Sequence, residues 1–171
     1  MWFSLLFIFF AGPAPQVEET VEPDLLQVHI EALSDDELEG RNAGTPGAER
    51  AAKYIVERFG EYQLLPGPDG AYVQRFSFSL FDLEDRSSLQ PIQGKGFNVV
   101  GFVEGSTRSE EVVMVVSHYD HLGRAGQPNP GRRPEKGGDG IWNGANDNAS
   151  GVASFLSLAQ SVAARKPERT F

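Results

Sequence analysis

The sequence predicts an α/β fold: a three-layer sandwich in which helices flank a mixed, largely parallel central sheet. Residues 112–116 form a continuous apolar run, which is typical of a central strand covered on both faces. A helical pattern of apolar residues follows at 150–164, and a strand-like segment begins at 168. This order of strand, loop, helix and strand is typical of such a sandwich.

Three segments are predicted along the chain. Residues 1–15 begin with a short apolar run that resembles a secretory signal peptide and cannot span a bilayer as a helix, although no basic residue precedes Arg41. Residues 16–24 are acidic and contain a proline, which is typical of a linker. Residues 25–171 are then the N-terminal part of a single domain. The protein is expected to be secreted or periplasmic without a stable membrane span, or cytoplasmic if the run is not a signal.

Two helices are expected at the start of this domain. The first has its apolar residues on one side, and they are Leu25, Leu26, Val28, Ile30 and Leu33. His29 is expected on the surface of this helix, without a functional role. The second helix begins with the capping residue Thr45 before Pro46 and ends near Gly60.

Two further strands are expected before the apolar run. Residues 72–81 alternate apolar and polar side chains, as a half-buried strand does, and residues 97–103 form another strand. Residues 86–96 are expected to form a loop. The Gly- and Pro-rich stretch at 123–140 is an irregular loop, and loops of this length are usually functional or disordered.

Composition restricts the kind of function. A formal net charge of −9 argues against a nucleic-acid partner, because proteins that bind nucleic acids present a basic face. The chain has no cysteine, which excludes thiolate catalysis, disulfides and cysteine-ligated zinc. Any metal ion must therefore be bound by His, Asp and Glu side chains.

The first candidate site follows the apolar run, where residues 117–123 are Ser-His-Tyr-Asp-His-Leu-Gly. His118, at the end of a strand, would project into the crevice where open α/β sheets bind ligands, and neutral imidazole is a good zinc ligand. Asp120 can turn back and orient that imidazole, as carboxylates do beside metal ions. The alternative is a purely structural histidine at a strand end.

The second candidate site is Asn-Gly-Ala-Asn-Asp-Asn-Ala-Ser-Gly at residues 143–151, where the last predicted helix begins. Polar residues at this place commonly cap a helix, in which case Asp147 is a turn residue and Ser150 is the cap. That alternative does not explain why so polar a segment follows so long a glycine-rich loop.

Together the two motifs resemble metallopeptidase family twenty-eight, the di-zinc aminopeptidases related to glutamate carboxypeptidase and the transferrin-receptor ectodomain. Residues 118–123 resemble the family's histidine-x-aspartate motif, and residues 143–151 resemble its bridging-aspartate motif. The segments that are also similar to bacterial, leucyl-aminopeptidase-like members are 38–41, 44–47 and 98–101. The resemblance extends from about residue 25 to residue 171.

The resemblance implies a zinc-exopeptidase fold with two zinc ions, which hydrolyses N-terminal residues from peptide substrates by means of a zinc-held hydroxide. It implies that His118 binds one zinc ion, that Asp147 bridges both, and that Asp120 is the catalytic-site aspartate that orients His118. It also implies a cis peptide bond after Asp147, and it makes His121 a variable loop residue that is not a ligand. If His118 and Asp147 share a metal centre, their side chains should lie within about 7 Å of each other.

The sequence departs from the family at its C-terminal side. The family's general-base glutamate, the zinc-binding glutamate beside it, and a later aspartate and histidine have no counterpart up to Phe171. The chain is therefore expected to be an N-terminal fragment with a fold truncated at its C-terminal side, and to be inactive by itself.

Two other functions remain open. A binding module could keep the fold without metal, although the presence of all three candidate site residues argues against it. A glutaminyl-cyclase-like acyltransferase would use one zinc ion, and its aspartate segment typically differs from residues 146–151. A pair of glutamates on the following strand would support the peptidase.

Overall fold

The computed structural model describes residues 23–80, 92–127 and 138–171. The predicted signal peptide at 1–15 and most of the predicted linker at 16–24 lie outside these residues. Within the described ranges, no helix is long and apolar enough to cross a membrane.

Helices α1 (Pro23–Leu33) and α2 (Pro46–Glu61) confirm the two predicted helices. α2 begins at a proline, whose fixed φ suits the first helical position. Thr45 precedes it in an extended conformation, but its side chain does not cap the helix. The Thr45 hydroxyl instead donates a hydrogen bond to the Asn42 carbonyl oxygen at 2.6 Å, so it closes the turn before the helix.

His29 is buried, so the prediction that it lies on the surface is wrong. Only 1% of the residue is exposed. Its ring nitrogen Nδ1 lies 2.6 Å from the Tyr54 hydroxyl, and Nε2 lies 3.1 Å from the Tyr62 hydroxyl. Val28, which was expected on the apolar side, is exposed. Residues four apart share one face of a helix, and His29 is four residues from the buried Leu33.

The strands before the apolar run have different bounds from those predicted. β1 (Leu65–Pro66) pairs with β4 (Gly101–Phe102), and β2 (Val73–Leu80) pairs with β3 (Ile92–Val99), both in antiparallel register. β2 confirms the first predicted strand. β3 begins inside the predicted loop at 86–96, so that part of the loop prediction is wrong.

The glycines of β3 explain this difference. Gly94 and Gly96 favour a loop when judged from sequence, yet each pairs with a phenylalanine on β2, namely Phe78 and Phe76. A Cβ at Gly94 would lie 2.2 Å from the Phe78 ring, so the ring occupies the space above the glycine. Such pairing of an aromatic residue with a glycine compensates for the missing side chain.

The apolar run at 112–116 is not covered, so the prediction of a buried central strand is wrong here. β5 (Arg108–Val112) pairs in parallel with β8 (Arg169–Thr170). Beyond β5, Met114 and Val116 are each 81% exposed. In the described part of the chain no other strand pairs with this run. The fold is therefore mixed α/β, built from two-stranded sheets without a central, largely parallel sheet among the described residues.

Helix α3 (Ser150–Arg165) confirms the last predicted helix and completes the core. Leu156 of this helix is fully buried, and the centroid of the Phe155 ring lies 5.9 Å from the centroid of the Phe59 ring of α2. The buried residues of the core are Leu33, Leu38, Ala51, Ile55, Phe59, Leu64, Ala149, Val152 and Leu156. Because Ala149 ends the polar segment before α3, packing of the core also fixes the position of that segment.

The ends of the long loop predicted at 123–140 are joined by a short antiparallel pair, β6 (Gly123–Arg124) and β7 (Ile141–Trp142). The middle of the loop, residues 128–137, lies outside the described residues. Gly40, with φ 67°, packs directly against this pair. A Cβ on Gly40 would lie 2.2 Å from the Gly123 carbonyl oxygen, so this position requires glycine.

Candidate functional site

Asp147 lies in a short turn, Ala145–Ala149, that leads directly into α3, and its own φ of −129° and ψ of 88° are not helical. The peptide bond between Asp147 and Asn148 is cis. The Asn148 side-chain amide donates hydrogen bonds to the Ser117 hydroxyl at 3.0 Å and to the His118 carbonyl oxygen at 3.1 Å. These bonds join the turn to the segment that follows the apolar run.

His118 has an exposed ring whose orientation is fixed by the chain that follows it. Its Nδ1 lies 3.2 Å from the Asp120 carbonyl oxygen and 3.6 Å from Asp120 Oδ1. Because a carbonyl oxygen can only accept a hydrogen bond, a neutral His118 ring carries its proton on Nδ1. Its Nε2 then presents a free lone pair.

Asp147 is approached by two histidines, one at each carboxylate oxygen. His118 Nε2 lies 3.4 Å from Asp147 Oδ1, and His121 Nδ1 lies 3.4 Å from Asp147 Oδ2. The separation of His118 and Asp147 is well inside the 7 Å expected from the sequence. Asp120 stands on the other side of the His118 ring, so the two predicted motifs meet at one place.

Burial shifts three pKa values at this site. It lowers the pKa of His121, whereas the negative charge of Asp147 raises it. It raises the pKa of Tyr119 to about 12, with a smaller contribution from Asp120. It also lowers the pKa of Arg41, with Asp120 and Asp147 acting in the opposite direction. The site therefore holds a neutral phenol and a buried cation beside exposed carboxylates.

Two residues that the structure places in the site, His121 and Arg41, were not predicted from the sequence to belong to it. His121 was predicted to be a loop residue, but its side chain is largely buried against Asp147. Its position three residues after His118 in the same motif was the available signal. Arg41 is fully buried and bonds to the backbone of both motifs. Only the family resemblance of residues 38–41 pointed to it, because periodicity does not identify a buried arginine.

Residues 98–171 match the family described as Peptidase family M28. This part of the chain is similar in sequence to peptidase family M28. It contains His118, Asp120 and Asp147, so the resemblance based on the two motifs is confirmed. No curated protein sequence matches the chain.

The fold is similar to several solved structures of longer chains. Fimbriiglobus ruber glutaminyl cyclase matches with a TM-score of 0.60 and 20% identity, over 94% of this chain and 47% of that chain. A leucine aminopeptidase precursor from Bacteroides thetaiotaomicron matches with a TM-score of 0.52 and 16% identity, over 88% and 44%. Tannerella forsythia glutaminyl cyclase matches with a TM-score of 0.51 and 16% identity, over 88% and 45%. At these identities the likeness shows the fold alone, and the chain spans less than half the length of each structure.

Zinc is the metal typical of the M28 family, and the donor atoms of His118 and Asp147 fit it. Two ligands at about 2.0–2.1 Å from one tetrahedral zinc ion have donor atoms about 3.3 Å apart. The distance from His118 Nε2 to Asp147 Oδ1 is 3.4 Å. Among the described residues, no group of three or more His, Asp or Glu side chains is arranged to hold a metal ion. The described residues therefore bring two candidate donors together, at His118 and Asp147, whereas a catalytic zinc ion usually has three protein ligands.

An open, mostly apolar groove of about 600 Å³ begins at His118. Its lining includes Val116, Asn148, Phe155 and Leu158. Ligand sites commonly combine an apolar wall with a few polar groups that fix orientation. His118 thus stands at the edge of an open, mostly apolar surface.

Proposed function

We propose that this chain supplies the N-terminal part of an M28 zinc aminopeptidase, an enzyme that hydrolyses N-terminal residues from peptides. The observation that supports this most strongly is the 3.4 Å separation between His118 Nε2 and Asp147 Oδ1 within the M28 segment. Two motifs that are distant in sequence each contribute one donor, at the spacing that a tetrahedral zinc ion requires. In the whole protein, a central sheet and the remaining ligands would complete the zinc-exopeptidase fold.

Each site residue has a role that follows from its contacts. His118 would bind one zinc ion through Nε2, while its Nδ1 proton is held by the Asp120 carbonyl oxygen. Asp147 would bridge two ions, as the family resemblance implies. The Asp120 carboxylate would stabilise the orientation of His118 through its charge. Bound zinc would supply Lewis-acid polarisation of the scissile carbonyl and activation of water.

A second candidate is a glutaminyl-cyclase-like acyltransferase with one zinc ion. Solved structures of glutaminyl cyclases match the chain with TM-scores of 0.60 and 0.51, and the leucine aminopeptidase precursor matches with 0.52. Fold similarity therefore does not separate the two activities. The sequence of residues 146–151 favours the peptidase, as the family resemblance implies.

The test measures zinc content and both reactions in the full-length protein. The aminopeptidase predicts two zinc ions per chain and release of chromophore from an aminoacyl anilide, both lost after chelation. Asp147→Asn should abolish hydrolysis and weaken zinc binding without eliminating it, whereas Asp24→Asn, at an exposed helix start, should leave both unchanged. One zinc ion with cyclisation of an N-terminal glutamine would instead support the acyltransferase. Absence of bound zinc would favour the binding module.

We also propose that the protein is exported, on the basis of the apolar run within residues 1–15. Its mature form would then begin near the end of that segment and reside in the periplasm or outside the cell. Cell fractionation with mass spectrometry of the N-terminus tests this. A cytoplasmic protein that retains Met1 would contradict it.

A further inference from the structure

One buried arginine connects the two segments that carry the candidate metal ligands. Arg41 is fully buried. Its Nε–H donates to the Tyr119 carbonyl oxygen at 2.7 Å, its Nη1–H to that of Asn143 at 2.6 Å, and its Nη2–H to that of Gly144 at 3.1 Å. Nη1 also donates to the carbonyl oxygen of Leu33, the last residue of α1.

The acceptors lie next to the proposed ligands. Tyr119 directly follows His118, and Gly144 lies on the turn that leads to Asp147. A guanidinium group is planar and presents its N–H donors in a rigid fork. The carbonyl groups bonded to Arg41 are therefore held at fixed positions relative to one another, and so are the backbones that bear His118 and Asp147.

The backbone around Arg41 is adapted to this position. Glu39, Gly40 and Arg41 have successive φ values of 49°, 67° and 53°, in the left-handed region. Residues other than glycine remain there only when the surrounding structure holds them, and such residues concentrate at functional sites. The Arg41 carbonyl oxygen in turn accepts a hydrogen bond from the His121 amide at 3.1 Å. Arg41 thus contacts the first motif through both its side chain and its main chain.

The charge of Arg41 also acts on the site. The four hydrogen bonds described for its side chain all go to backbone carbonyl oxygens, so they act on backbone geometry. The carboxylates of Asp120 and Asp147 are near enough to stabilise the guanidinium charge electrostatically.

We propose that Arg41 is a positioning residue of the metal site, which sets the separation of His118 and Asp147 by fixing the backbones that carry them. This inference rests on the proposed function, because it concerns the same site. The competing explanation is that Arg41 only satisfies buried carbonyl groups of the core. The two explanations differ in whether a folded variant loses metal affinity.

The experiment uses the full-length protein with its metal removed and titrates it with Co²⁺, whose visible absorption reports the coordination geometry. Arg41→Met removes both charge and fork, and Arg41→Lys keeps the charge only. Arg50→Met is the matched control, because the half-exposed Arg50 side chain on α2 also donates to a backbone carbonyl oxygen, that of Glu37, which belongs to neither motif. We expect folded Arg41→Met to bind Co²⁺ about 10–100-fold more weakly, with an altered spectrum. The Co²⁺ affinity of Arg41→Lys should lie between those of Arg41→Met and the unmodified protein. The Co²⁺ affinity of Arg50→Met should match that of the unmodified protein.

A double variant tests whether Arg41 acts through Asp147. If it does, adding Arg41→Met to Asp147→Asn should weaken Co²⁺ binding far less than Arg41→Met does alone. Full additivity would overturn the proposal, as would unchanged Co²⁺ affinity and spectrum in folded Arg41→Met. If neither Arg41 variant folds, the arginine serves the fold in general and the proposal is wrong. Failure of the unmodified protein to bind Co²⁺ would instead contradict the proposed function itself.

Discussion

His29→Leu should make the protein less stable at neutral pH and remove part of its sensitivity to acid. His29 is enclosed between α1 and α2, where its two ring nitrogens contact the hydroxyls of Tyr54 and Tyr62. Burial lowers the pKa of His29 below its usual 6.5. The positive charge of Arg58 acts in the same direction, and the negative charge of Glu61 opposes it. The folded protein therefore favours the neutral ring.

The magnitude follows from these contacts. Each hydrogen bond contributes about 0.5–1.5 kcal/mol, so loss of both should lower the free energy of unfolding by about 1–3 kcal/mol at about pH 7.5. In the unfolded chain His29 titrates near pH 6.5, above its pKa in the folded protein, so the unfolded state binds more protons as the pH falls. Stability of the unmodified protein thus decreases below about pH 6.5, by at most about 1.4 kcal/mol per pH unit for this group.

Denaturant unfolding at several pH values between about 7.5 and 5.5 measures both effects, with a chelator present in every sample. The difference in stability between the unmodified protein and His29→Leu should shrink by up to about 1.4 kcal/mol over that range. The lowered pKa of His121 contributes equally to both proteins and cancels in the difference. Val28→Ala, at an exposed and non-titratable position of the same helix, is the control, and its stability should change with pH in parallel with that of the unmodified protein. If the stability of His29→Leu changed with pH in parallel with that of the unmodified protein, the reasoning would be refuted.

Further predictions concern the site and the core. Asp120→Asn should leave the fold intact and lower zinc affinity or turnover by about 10–100-fold, whereas unchanged values would make Asp120 a turn residue. Gly144→Ala should weaken metal binding, because a Cβ there would lie 2.4 Å from the Asp147 carbonyl oxygen at a φ of 62°. Gly60→Ala, with open space around it, should bind metal normally and gain up to about 1 kcal/mol of stability. Leu156→Ala should cost about 2–5 kcal/mol in denaturant unfolding, since Leu156 is fully buried. The 171-residue chain expressed alone should show no peptidase activity, because the two donors brought together among its described residues are too few for catalytic zinc.

The local parts of this protein could be predicted from the sequence. α2 and α3 are encoded by apolar spacing and, for α2, by a proline at the first helical position. The second site motif could be located because it lies where α3 begins, but the prediction that His118 lies at the end of a strand is wrong, since β5 ends at Val112. Chain direction and packing of α3 then bring Asp147 toward His118, as the family resemblance implied. These features depend on residues close together in the sequence or on motifs specific enough to be identified alone.

Whether neighbouring strands bury the apolar run at 112–116 was decided by the tertiary structure. A continuous apolar pattern indicates that a strand can be buried, but burial itself depends on neighbouring strands. Among the described residues, β8 is two residues long and pairs only with β5, which ends at Val112, and Met114 and Val116 are exposed. The pattern thus identified residues 112–116 correctly as apolar, but the prediction that they are buried is wrong.

The tertiary structure also decided which polar residues are buried. His29 and Arg41 are among the largest fully buried side chains, although both are polar. A polar group can be buried only when hydrogen-bond partners meet it, and these partners lie far away in the sequence, at Tyr54 for His29 and at Asn143 for Arg41. Local periodicity carries no information about such distant partners. The sequence by itself therefore determined the helices and the motifs, and only the folded chain determined how a buried arginine joins those motifs into one site.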